Sequence, residues 1–162
     1  MNEKEMFCQS WDREFQTTVK VLKAYPSHRW DYRPHEKSMT TRELAWLFVR
    51  EEGVMEITVK GKVDFGATPP PMPATFDEIL AAYQAAHTKH LEMVKNMSDA
   101  DWNSLIAFPA GPGKMMDIRK ADVCWTMMCD MIHHRGQLSV YIRLAGGKIP
   151  SIYGPTADEP WM

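Results

Sequence analysis

The sequence predicts an all-α fold, a four-helix bundle with long crossover connections, on three observations. Four long stretches carry apolar residues at spacings of three and four. Segments rich in Pro and Gly separate them. Those segments exceed the roughly 2–8 residues that join simple helical hairpins, as crossover connections do.

The first helix is expected over about residues 3–24, where Phe7, Trp11, Phe15, Thr18, Val19 and Leu22 form one apolar stripe ahead of Tyr25-Pro26. In the segment that follows, Trp30, Tyr32 and Pro34 are expected to pack rather than float free. The second helix, about 40–61, opens on a capping box, Thr40-Thr41-Arg42-Glu43, in which hydroxyl and carboxylate satisfy each other's backbone N–H groups. It carries Leu44, Trp46, Leu47, Phe48, Val54, Met55 and Ile57 and ends near Gly61. From Phe65 to Pro73 the chain holds three consecutive prolines, which cannot continue a helix. A second capping box, Thr75-Phe76-Asp77-Glu78, opens the third helix, about 75–97, with Ile79, Leu80, Tyr83, Leu91 and Val94. Ser98 to Asp101 reads as a cap or short turn, and a Gly- and Pro-rich stretch runs on to Met116. The fourth helix, about 118–145, is some 40 Å long at ~1.5 Å per residue, and Gly146-Gly147 stops it. The tail, 148–162, has three prolines and no periodicity, so it lies over the bundle or hangs free.

At 162 residues, 44% hydrophobic and 25% charged, the chain suits one globular domain, 1–162. No apolar run reaches the ~20 residues of a membrane span, and the first residues are polar and acidic where a secretory signal would be basic and then apolar. The cysteines Cys8, Cys124 and Cys129 form no CxxC pair. A cytoplasmic protein without membrane contact is expected. A net charge of −2 without a Lys/Arg block argues against nucleic acid as a partner. The 13 methionines suit an irregular core, or an adaptable apolar pocket.

The chemistry concentrates in the fourth helix, where Val123, Met127, Asp130, His134, Leu138 and Tyr141 share one broad face. Asp130 and His134, one turn apart, are either two ligands of one metal ion or a buried hydrogen-bonded pair. Gly136 in mid-helix suggests close approach of another helix, within the bundle or across a dimer. His133 is rotated by ~100° from His134 and reads as packing or bonding to a neighbouring helix. Arg135 and Gln137 either face another helix or serve solubility, and Cys129 reads as a buried, inert thiol. His87 and His90 have a spacing seen in bundle metal sites, but without an accompanying Glu they read as surface histidines, and His28 and His35 as exposed in the first crossover.

The segment His133-His134-Arg135-Gly136-Gln137-Leu138, with Asp31-Tyr32-Arg33-Pro34-His35, Glu43-Leu44-Ala45-Trp46 and Ile152-Tyr153-Gly154-Pro155, resembles the DinB/YfiT-like superfamily of small bacterial bundles over nearly the whole chain. That resemblance implies a homodimer and a divalent metal, Zn, Ni, Fe or Mn, held by three side chains at one end of the bundle. It places ligands at Asp130 and His134, and the first ligand, a histidine in the family pattern, falls on Leu47, which can ligate nothing. Glu51, one turn after Leu47, is the candidate replacement, although within Arg50-Glu51-Glu52 a solvated side chain is the default; His35 or water is a further option. The function implied is a bundle protein of bacterial stress or detoxification type with a degenerate or altered metal site. The alternative is a metal-dependent thiol S-transferase joining a small electrophile to bacillithiol, mycothiol or glutathione.

Overall fold

The computed structural model describes residues 1–62 and 70–161. Four long helices form the bundle: α1 (Glu3–Lys23), α2 (Thr41–Lys60), α3 (Phe76–Lys95) and α5 (Lys120–Leu144), with a short α4 (Asp99–Trp102) capped by Ser98. The boundaries lie within two residues of the sequence expectation, because the caps that set them are legible. Thr40 Oγ1 accepts from the Glu43 N–H at 3.2 Å while Glu43 Oε2 accepts from the Thr40 N–H at 2.7 Å. Thr75 and Glu78 repeat the arrangement on α3, and Asn2 and Glu5 on α1. Thr40→Ala is expected to lower stability by about 1 kcal/mol in urea denaturation, whereas Thr40→Ser retains the cap.

α1 and α2 each pack on both α3 and α5, so they occupy diagonally opposite corners. α2 therefore has two buried faces, one toward α3 and one toward α5. Between the helices, Phe7, Trp11, Leu22, Leu44, Phe48, Met55, Ile79, Tyr83, Leu138 and Ile142 are fully buried. In the first crossover Trp30 stacks on Phe76 with ring centroids 4.2 Å apart, and Tyr32 meets Tyr141 edge-on.

Three features depart from expectation. The Gly- and Pro-rich stretch is an antiparallel hairpin, β1 (Leu105–Gly111) and β2 (Lys114–Arg119), turning at Gly113, whose φ of 67° suits glycine. It moves the start of the last helix from about 118 to Lys120. Gly136 is exposed and a Cβ there would meet nothing within 4 Å among the described residues, so of the two expected approaches the one within the bundle is not made by any described helix. Among the described methionines, Met55, Met97, Met128 and Met131 are core residues; Met1, Met6, Met39, Met72, Met115 and Met116 are exposed. The expectation for Phe65 to Pro69 falls outside the described residues, and Pro70–Ala74 is not helical.

The tail is docked. Tyr153 donates to Glu14 Oε2 at 2.7 Å, and Arg143 and Lys20 pair with Asp158 and Glu159. Glu14 Oε2 also accepts from Arg135 Nη2 at 2.7 Å, and Arg135 Nη2 donates to the Tyr153 hydroxyl oxygen. Arg135, expected to serve solubility or a helix contact, is 1% exposed and bonds α1 and the tail. Among the described residues no helix is long and apolar enough to cross a membrane.

Candidate metal centre

Glu51 on α2 and Asp130 and His134 on α5 converge, each offering a donor atom within 4.8 Å of the others. His134 Nδ1 lies 2.6 Å from Glu51 Oε1 and 3.9 Å from Asp130 Oδ1. The i, i+4 spacing sets Asp130 and His134 one turn apart, and packing of α2 against α5 brings Glu51 between them. Glu51 is 4% exposed, which overturns its default reading as a solvated residue. Asp130 remains about half exposed and opens the cluster to solvent.

Burial, followed by the charge of Asp130, pushes the Glu51 carboxyl up to about 9. Burial also lowers the His134 ring below the usual histidine range, against the pull of Asp130. At neutral pH one proton therefore sits between Glu51 and His134, and a positive charge entering the cluster would displace it. Glu51 Oε2 is buried and has no hydrogen-bond partner among the described residues, an orphaned acceptor of the kind a cation satisfies. Two carboxylates and one imidazole suit Zn²⁺, Ni²⁺, Fe²⁺ or Mn²⁺, so the donor set fits such an ion.

The other candidates lie elsewhere. Leu47 packs, partly buried, against the core. His28 and His35 are exposed, and His35 Nδ1 accepts from the Lys37 N–H, outside the cluster. His133 is exposed and bonds Gln137 one turn along its own helix rather than a neighbouring one. Cys129, expected buried, is exposed, whereas Cys8 and Cys124 are buried.

His87 and His90 are not surface residues; they are 2% and 3% exposed. Both turn Nδ1 toward Glu52, which is fully buried, at 3.0 and 3.3 Å. Their Nε2 atoms face Asp12 at 3.3 Å and Glu56 at 2.9 Å. A carboxylate thus faces each of the four ring nitrogens. Lys60 and Lys89 both donate to Glu56 Oε1, and these bonds hold its carboxyl down at about 2. Sequence reasoning gave Glu52 no role and read the two histidines as lacking an accompanying glutamate. The available signal was register: Glu51 and Glu52 stand between Phe48 and Met55 on the stripe of α2, as His87 and His90 stand on that of α3.

Comparison with known proteins agrees with this architecture. The model of the DinB family matches residues 1–161. An uncharacterized protein, YrdA, of Bacillus subtilis is 25% identical over 154 residues, covering 94% of this chain and 89% of that one. A crystal structure of a DinB-like protein from Bacillus cereus superposes with a TM-score of 0.77 at 25% identity, over 92% of this chain and 97% of that one. YjoA, a DinB-like protein from Bacillus subtilis, shares the fold with a TM-score of 0.74 at 15% identity, over 91% and 97%.

Proposed function

This chain belongs to the DinB family, and from that premise we propose that it is a divalent-metal protein of bacterial stress or detoxification type whose centre is altered rather than lost. Glu51 supplies the donor that Leu47 cannot. The observation that carries this reading is the orphaned, buried Glu51 Oε2 beside His134 and Asp130. A buried acid held in place without a counter-charge is costly, and a bound cation would offset that cost.

Glu51, Asp130 and His134 would hold the ion; when bound, it supplies Lewis acidity that favours the thiolate form of a coordinated thiol. The protein's own contributions are distinct. Burial keeps His134 neutral and therefore able to donate a lone pair. The half-exposed Asp130 leaves one side open to a second molecule, as a working centre requires and a closed structural one does not. That opening favours the more specific reading, a thiol S-transferase using a low-molecular-weight thiol.

Protein purified without chelator and loaded with Zn²⁺, Ni²⁺, Mn²⁺ or Fe²⁺ is expected to retain about one ion per chain by elemental mass spectrometry. Asp130→Ala and His134→Ala are each expected to reduce that retention at least ten-fold. Uptake should strengthen as pH rises toward 9, because Glu51 must release its proton. Retention of no ion by the wild type overturns the reading.

A further inference from the structure

A second site lies on the other side of α2. Between α2 and α3 runs a groove of about 690 Å³, within the size range of small-molecule sites. Trp46, Val49, Ile57 and Ala86 give it apolar walls. Its floor is His90, whose two ring nitrogens face Glu52 and Glu56. Lys60, Lys89 and Arg50 also line it. Against these three cationic side chains the groove presents, among the described residues, one carboxylate, Glu56, already shared by Lys60 and Lys89.

Gly53 is the second observation. It stands in mid-α2, in the wall of this groove, and a Cβ there would meet nothing within 4 Å. Glycine costs a helix interior roughly 1 kcal/mol relative to alanine. Here no described neighbour needs the space, and what the missing side chain leaves is groove volume.

We propose that the α2–α3 groove binds a small amphipathic organic anion, its aromatic or branched apolar body against Trp46 and the Gly53 gap and its acidic head on Lys60 and Lys89. The charge balance selects an anion over a neutral or cationic ligand, and the walls select an apolar body over an inorganic ion. The site owes nothing to the metal cluster, which engages the opposite face of α2 through α5.

The test is a fluorescence titration of the full chain with 8-anilinonaphthalene-1-sulfonate and with its uncharged parent, N-phenyl-1-naphthylamine. One sulfonate dye per chain is expected, with the neutral dye at least ten-fold weaker. Gly53→Leu fills the gap with a better helix former, so the chain should fold at least as well, judged by its thermal midpoint, and bind the sulfonate at least ten-fold less. Lys60→Met with Lys89→Met should reduce the sulfonate to the level of the neutral dye and leave the neutral dye unchanged. Asp130→Ala should bind both as wild type does. Equal binding of the two dyes, or undiminished sulfonate binding by either groove variant, overturns the proposal.

Discussion

Glu51→Gln is expected to make the metal-free protein more stable and the metal-bound protein impossible. The unfolded chain ionises Glu51 in the ordinary carboxylate range, the folded chain at about 9. Folding therefore takes up a proton across that window, and stability contributed by the protonated carboxyl falls as pH rises through it. At pH 7, about 2.5 units above the unfolded value, the cost is roughly 3 kcal/mol. A neutral amide of the same shape removes it, so urea denaturation in EDTA should show Glu51→Gln gaining up to that amount and losing most of the pH dependence between 5 and 9. Adding Zn²⁺ should reverse the ranking. A ligand at a thousand times its dissociation constant stabilises the wild type by about 4.1 kcal/mol, and the variant by almost nothing. A Glu51→Gln protein that is less stable without metal, or that still gains from metal, would remove Glu51 from the centre.

Arg135→Met carries the second large effect. The guanidinium is buried, donates to the Glu14 carboxylate, the Glu14 backbone carbonyl and Thr18, and lies 5.1 Å from the Tyr153 ring centroid. Removing it takes from Glu14, itself 7% exposed, its buried ionic partner and leaves only the Tyr153 hydroxyl and the exposed Arg13 guanidinium at 3.8 Å. Breaking such a pair from one side costs about 3–5 kcal/mol, whereas replacing both partners by apolar groups is often close to neutral. Arg135→Met should therefore lower stability by that amount in urea and free the tail, seen as faster proteolysis after residue 148. The double variant with Glu14→Leu should recover most of the loss. Equal destabilisation in the single and double variants would mean that packing, and not the buried charge, holds this corner.

The helices were legible because their starts are written in local chemistry. Thr40 with Glu43 and Thr75 with Glu78 act over three residues, and the apolar stripes act over one helix. The hairpin was less so, since Pro109, Gly111, Pro112 and Gly113 outweigh two short runs of strand-forming residues. The metal cluster was legible by half. Asp130 and His134 are tied by spacing within α5, whereas the Glu51–His134 contact joins residues 83 apart, and only packing of α2 on α5 makes it. Glu52, His87 and His90 share one reason for having been misread or missed, and Arg135, left open between a helix contact and solvent, shares it too. Each is polar, and each stands where the helical repeat calls for an apolar residue. Polarity suggested solvent, register placed them inside, and register governed because each had a hydrogen-bonding partner on another helix.

The division of the methionines has an analytical consequence. Met115 and Met116 on β2, with Met6, Met39 and Met72, stand open to a dissolved peroxide, while Met55, Met97, Met128 and Met131 are shielded by the packed helices. Sulfoxide formation at the first set proceeds in the native state; at the second it waits for the helices to part. Peptide mass spectrometry of a peroxide time course would thus time the breathing of each corner of the bundle, using reporters the chain already carries.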